Sequence, residues 1–242
     1  MTNHLLTVLK QAITTFTSKN DAFCANLQIL LTLLDKINVE HVNLLPQFMT
    51  DQLWNQPGKA PVTCIEIYED ENVSMGIFIL KPDGKLPLHN HPDMHGLIKV
   101  IAGKVKITSY SINTEKTKEV DLRSFGDGST PIRPLSRSNI LTAELVSVSI
   151  ASTKSAPCVL EPHHKNLHEI QSLEGPAAFL DILAPPYDSP IVNNTQRQCS
   201  YFTKLSQVTP GIFRLKEIRS PSWYWTDSCP YTGPPIDRDV KI

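Results

Sequence analysis

Over the first forty residues, apolar side chains recur at intervals of three and four. Leu5, Leu6, Leu9, Ile13 and Phe16 share one stripe within residues 3–18, which predicts an amphipathic helix. A second stripe (Phe23, Leu27, Leu30, Leu31, Leu34 and Ile37) predicts another helix, with Asp21 as its N-cap. Two such helices are expected to pair as a hairpin on the outside of the remaining chain. From Val62 the period changes to two. Thr63 to Glu69 alternates, Val73 to Leu80 is a second strand, and Pro82-Asp83-Gly84 predicts a turn. GLIKVIAGKVKITSYSI predicts two paired strands turning at Ala102-Gly103, with Val105 and Ile107 inward and Lys104, Lys106 and Thr108 outward. A polar hairpin tip at 113–118, a loop at 126–134, a strand at 140–150 and further short strands across 157–183 complete the pattern. So many short strands between turn signals predict a mainly β fold, an antiparallel barrel or jelly roll. The aromatic, proline-rich stretch 220–242 has no period and is expected to wrap the barrel. The chain is read as one domain, with helices at 1–40, a barrel at 62–219 and this wrapping segment.

Composition narrows the function classes. A length of 242 residues with 40% hydrophobic content allows a sizeable core. A net charge of −1 argues against general binding to nucleic acid or to a membrane surface. No apolar run approaches the roughly 20 residues that span a bilayer. The N-terminus lacks the basic start and apolar core of a secretory signal. It is Thr-rich and poor in acids but contains no Arg within its first 21 residues, so a mitochondrial presequence is the lesser reading. A cytoplasmic location is expected, with nuclear or mitochondrial presence left open. The five cysteines (24, 64, 158, 199, 229) are odd in number and far apart, a reduced set rather than a disulfide framework.

The chemistry concentrates in LPLHNHPDMHGLIKVIAG, Leu86 to Gly103, which holds His89, His91 and His95. Side chains two apart on a strand share a face, so His89 and His91 can converge on a divalent transition metal where a hairpin begins. The same pair also fits a polar strand face without metal. A third ligand is open among His95, His163, His164 and His168. Pro92-Asp93 interrupts the strand before His95, and PHHK is a polar turn. His168 stands at a strand's start, where an inward imidazole needs a partner. His4 and His41 are expected at the surface. Asp181 interrupts the apolar FLDIL, so its carboxylate needs a partner: a structural bond to backbone or Arg, support of a metal-bound histidine, or an indirect hold on a substrate amine. Tyr187 can reach the open face with its hydroxyl or pack on the barrel rim.

The order G-x4-H-x-H-x3-H-G-x6-G, Gly84 through Gly103, resembles the first cupin motif, with His95 near the position of the usual glutamate. Together with PHHKNLHEI and EGPAAFLDILAPPYD, it resembles the 2-aminoethanethiol dioxygenase family, which includes the plant cysteine oxidases. The resemblance runs from about Val62 to Tyr201. It implies a cupin barrel in which His89, His91 and His168 hold Fe(II), with His95 beside the site. It also implies functional roles for Asp181 and Tyr187. Cys199 and Tyr201 match a Cys-x-Tyr pair that forms a thioether in some relatives, although the loop from Ser189 to Gln198 is longer than the family pattern. The implied reaction adds both atoms of O2 to a thiol, giving a sulfinate. Its implied substrates are cysteamine and proteins or peptides with an N-terminal cysteine, in a monomer that can report oxygen level. Three neutral imidazoles would leave the full dipositive charge on the metal, which favours a thiolate. Two rivals are a cupin using Zn, Ni or Mn for isomerase or hydrolytic work, and a non-catalytic cupin that binds a small molecule or partner.

Overall fold

The computed structural model describes residues 3–18, 20–113, 117, 140–190 and 196–236. The expected tip at 113–118 and loop at 126–134 therefore lie outside the described residues, apart from Asn113 and Thr117. Helix α1 spans His4–Thr17 and is capped by Asn3, whose side chain accepts from the Leu6 N–H at 3.2 Å. Helix α2 spans Asn20–Leu34. It begins one residue before Asp21, so that carboxylate sits in the first turn against the helix dipole and is not the N-cap.

Ten strands follow: β1 (Val62–Glu69), β2 (Ser74–Leu80), β3 (Lys85–Asn90), β4 (His95–Ile112), β5 (Ile140–Ser152), β6 (Cys158–Leu160), β7 (Leu167–Ala184), β8 (Tyr201–Thr209), β9 (Ile212–Ile218) and β10 (Thr226–Ser228). Strands β3, β8, β9, β5, β4 and β7 pair in a closed antiparallel ring. Strands β2, β1 and β10 extend the sheet from β7, and β6 borders β4. β10 runs parallel to β1, so the C-terminal stretch, expected as a wrapping loop, contributes a strand.

The expected turn at Ala102-Gly103 is a bulge. β4 is one 18-residue strand that pairs with β7 on both sides of register shifts at Val100/Ala102 and Ala102/Lys104. Locally a turn and a bulge read alike, and the long-range ladder with β7 decides between them. Gly103 has φ +69°, and a Cβ there would meet the Pro176 carbonyl oxygen and the Ala177 backbone. Gly103→Ala is therefore expected to destabilise the fold by about 2–4 kcal/mol, read as a lowered denaturant midpoint at unchanged m-value. An unshifted midpoint would show that the bulge relaxes without cost.

Both faces of the central strands are covered, which explains their apolar runs. Ala178, Leu180 and Ile182 of β7 pack with Leu97 and Ile101 of β4 in the cluster that includes Leu5, Leu9, Leu30 and Leu34 of the helices. Ala177 and Phe179 turn the other way, into the barrel with Ile98, Val100 and Val105. Lys99 lies on the helix side and is only 2% exposed. Its ammonium meets Asp35, just past α2, at 2.7 Å and donates to the carbonyls of Thr153 and Ser155. With all three donors occupied, this buried charge joins the helix hairpin to the barrel.

Candidate metal centre

Strand register brings the three histidines together. His89 on β3 stands directly opposite His168 on β7 and, on its other edge, opposite Tyr201 on β8. Cross-strand partners share a face, so all three point into the barrel. β3 pairs with β7 and β8 rather than with β4, so the H-x-H segment does not open a hairpin. His91 lies one residue beyond β3, and its N–H donates to the Asn166 carbonyl at 2.8 Å. His91 Nε2 is 3.1 Å from His89 Nε2 and 3.1 Å from His168 Nε2.

The surrounding hydrogen bonds fix two tautomers. His89 Nδ1 lies 2.8 Å from the Pro87 carbonyl, which can only accept, so the proton is on Nδ1 and the Nε2 lone pair is free. The Tyr187 hydroxyl donates to the Asn90 carbonyl at 2.6 Å, so its oxygen accepts from His91 Nδ1 at 3.0 Å. His91 Nε2 is therefore also a bare lone pair. Burial pushes the His89 pKa down to about 4. His91 and His168 lie well below the usual histidine value, through burial and then through neighbouring imidazole charge. The bare lone pairs of His89 and His91 repel at 3.1 Å unless a cation sits between them. Separations of this size fit nitrogens that would hold one metal ion between them. The donor set thus fits a divalent transition metal, and these three residues are the one such group found among the described residues.

The histidines form one wall of a cavity of about 200 Å³, with Phe78, Phe179, Asp181, Tyr201 and Tyr224 on other sides. Asp181 shares strand parity with Phe179 and faces the cavity. Burial raises its pKa to about 7, partly offset by the Ile182 N–H, and Oδ1 has no partner among the described residues. That oxygen therefore does not orient a histidine. The hydrogen bond that orients His91 comes instead from Tyr187. Cys199 has hydrogen-bonding contacts with Tyr187 and Tyr201, and burial raises its thiol pKa.

His95 is not beside the site. Its ring packs 5.6 Å from Phe16 and 5.1 Å from Phe23, on the helix side of β4 with Leu97 and Lys99. The turn with Asp93 at φ +53° separates its parity from that of His89. His163 and His164 are exposed, as the sequence predicts. His4 and His41 are half-buried: their rings lie 4.9 Å apart, and His4 Nε2 meets the Leu33 carbonyl at 3.0 Å. Tyr224 in the cavity wall was missed, because the tail has no periodicity to mark an inward residue.

A closed antiparallel barrel with an H-x-H pair and a distant histidine converging in its cavity is a cupin-type metal site. The chain belongs to the PCO_ADO family, whose model matches residues 33–236. It is 35% identical over 237 residues to the 2-aminoethanethiol dioxygenase of Homo sapiens, covering 88% of this chain and 82% of that one. It is 30% identical over 183 residues to plant cysteine oxidase 1 of Arabidopsis thaliana, covering 73% of this chain and 54% of that one. Among solved structures, an RmlC-like cupin protein from Desulfovibrio desulfuricans overlaps 57% of this chain and 88% of its own, with a TM-score of 0.33 and 18% identity. No helix among the described residues is long and apolar enough to cross a membrane.

Proposed function

We propose that this chain is an iron(II)-dependent thiol dioxygenase. Its substrate is a thiol two carbons from an amine, either cysteamine or the N-terminal cysteine of a peptide or protein. The reaction is R–SH + O2 → R–SO2H. The convergence of three neutral Nε2 donors on a cavity, with no carboxylate among them, carries this reading. Family membership supports the same chemistry.

His89, His91 and His168 would hold the iron. When bound, it supplies a dipositive centre that favours a thiolate over a thiol and brings it beside O2. The protein's own groups do the rest. Pro87 and Tyr187 orient two of the imidazoles through their Nδ1 protons. Phe78 and Phe179 exclude water from around the sulfur. Asp181, whose Oδ1 has no partner among the described residues, receives the substrate ammonium. That ammonium has a pKa near 8 in a peptide N-terminus, and its charge beside Asp181 favours loss of the carboxyl proton that burial retains. The reading includes a Cys199–Tyr201 thioether, which the contact between that thiol and phenol supports. It also includes oxygen sensing, should peptides be the physiological substrates.

Incubation of the Fe(II)-loaded protein in air with cysteamine or a Cys-initiated peptide tests the proposal. Mass spectrometry is expected to show gain of two oxygen atoms, absent under anaerobic conditions. The two relative rates choose the substrate class. No change in either thiol with iron demonstrably bound would overturn the reading.

A further inference from the structure

A line of rings leads out of the cavity. The Tyr201 ring lies 6.5 Å from His89 on one side and 5.7 Å from Tyr224 on the other. Tyr224 lies 6.2 Å from Trp223, edge-on, and Trp223 is 50% exposed. Tyrosine and tryptophan are the aromatic side chains that give up one electron most readily, and phenylalanine does not. Electron transfer between rings weakens steeply with distance, so several short steps outrun one long jump. Proton positions suit the same line: Tyr224 makes a hydrogen-bonding contact with Tyr201, and Tyr201 makes one with Cys199. Trp225 is a built-in comparison. It is 49% exposed, next but one in sequence, and makes no ring contact among the described residues.

We propose that Tyr201, Tyr224 and Trp223 form an electron conduit that draws oxidising equivalents from the three-histidine centre to the surface when no thiol is bound to consume them. The proposal rests on the preceding reading only in requiring iron at those histidines. With hydrogen peroxide as oxidant, Tyr201 passes an electron to the centre and its phenolic proton to cavity water. Tyr224 restores Tyr201 by giving up an electron and its own phenolic proton. Trp223 then restores Tyr224 with an electron, while water returns the proton, and the indole N–H proton leaves to solvent. A second transfer and addition of water leave a hydroxylated Trp223. Peroxide takes up the two electrons and two protons to become two waters. The net change is Trp–H + H2O2 → Trp–OH + H2O, with the inserted oxygen coming from solvent.

The test is anaerobic treatment of the Fe(II)-loaded full chain with peroxide, without thiol, in water enriched in heavy oxygen, followed by peptide mass spectrometry. Trp223 is expected to carry heavy oxygen at several times the level on Trp225, and zinc-loaded protein is expected to show no such excess. Tyr224→Phe keeps the ring but stops the transfer, bringing Trp223 down to the level of Trp225. Trp223→Phe, as a second variant, is expected to leave a longer-lived tyrosyl radical by electron paramagnetic resonance. Equal labelling of the two tryptophans, incorporation of peroxide oxygen, or a Trp223 yield unchanged in Tyr224→Phe would overturn the conduit. Wild-type thiol turnover is read separately. Turnover without selective labelling sinks the conduit alone, whereas selective labelling without turnover upholds it and sinks the dioxygenase reading.

Discussion

His168→Ala is expected to lose metal and activity together. Replacing a group that merely orients a ligand typically costs 10–100-fold in metal affinity, so deleting one of three donors should cost at least about 100-fold. Oxidation of cysteamine or of a Cys-initiated peptide should fall below detection at micromolar iron. Tyr187→Phe is the milder companion. It removes the oxygen that accepts from His91 Nδ1 but leaves all three Nε2 donors, so its loss should stay within that 10–100-fold range. Metal content by elemental analysis after dialysis separates the two. The pH dependence follows from the lowered histidine pKa values. Protons compete for a nitrogen only below its pKa, and burial has moved His89 to about 4. Wild-type metal is therefore expected to survive at pH 5, where ordinary histidines are protonated, and to be released as pH falls through about 4. Release near pH 6.5 would mean that the site is open to water and that burial does not set its chemistry. Full metal retention by His168→Ala would remove that residue from the donor set.

The histidine pair was legible because a strand's period of two is a local property, and it carries from His89 in β3 to His91 one residue past its end. Their partner was not legible in that way. His168 lies 77 residues from His91, and no local pattern states that β7 is the strand beside β3. Only the family resemblance singled it out. His95 failed for the opposite reason. The resemblance set it beside the site, but the turn that Pro92-Asp93 signals resets the parity and leaves it against Phe16 and Phe23. Gly103 shows the same limit for the fold. A break at Ala102-Gly103 was readable, yet a turn and a bulge both suit a glycine at positive φ, and the ladder with β7 makes it a bulge. Asp181 was legible as an anomaly, because one carboxylate in an apolar strand demands an explanation. Tyr187 was legible only as a neighbour. Sequence alone gave Asp181 a share in supporting a metal histidine, whereas the hydroxyl of Tyr187 makes that bond. Tyr224 could not be found at all, since it reaches the cavity through a tail held by the parallel pairing of β10 with β1.

Asp181→Asn is expected to make the protein more stable and less active. The carboxyl has its pKa raised from 3.8 to about 7 by burial. Between those two values the folded state keeps a proton that the unfolded state has lost, so stability falls as pH rises through the window and levels off above 7. A shift of about three units corresponds to at most about 4 kcal/mol. The amide cannot ionise and escapes that penalty. In the metal-free protein, Asp181→Asn should therefore match wild type near pH 4 and exceed it by about 2–4 kcal/mol at pH 8, measured by denaturant unfolding. Function should move the other way. A charge-assisted hydrogen bond to the substrate ammonium contributes about 1.5–3 kcal/mol, so the variant should lose roughly 10–100-fold in kcat/KM for cysteamine. An amine-free thiol such as ethanethiol should lose little, because it never used the carboxylate. Equal losses for both thiols would remove Asp181 as the amine's partner. A variant no more stable than wild type at pH 8 would show that the carboxylate is already satisfied in the folded chain. If both expectations hold, the protein keeps a destabilising buried acid in its core because the substrate's charge completes it.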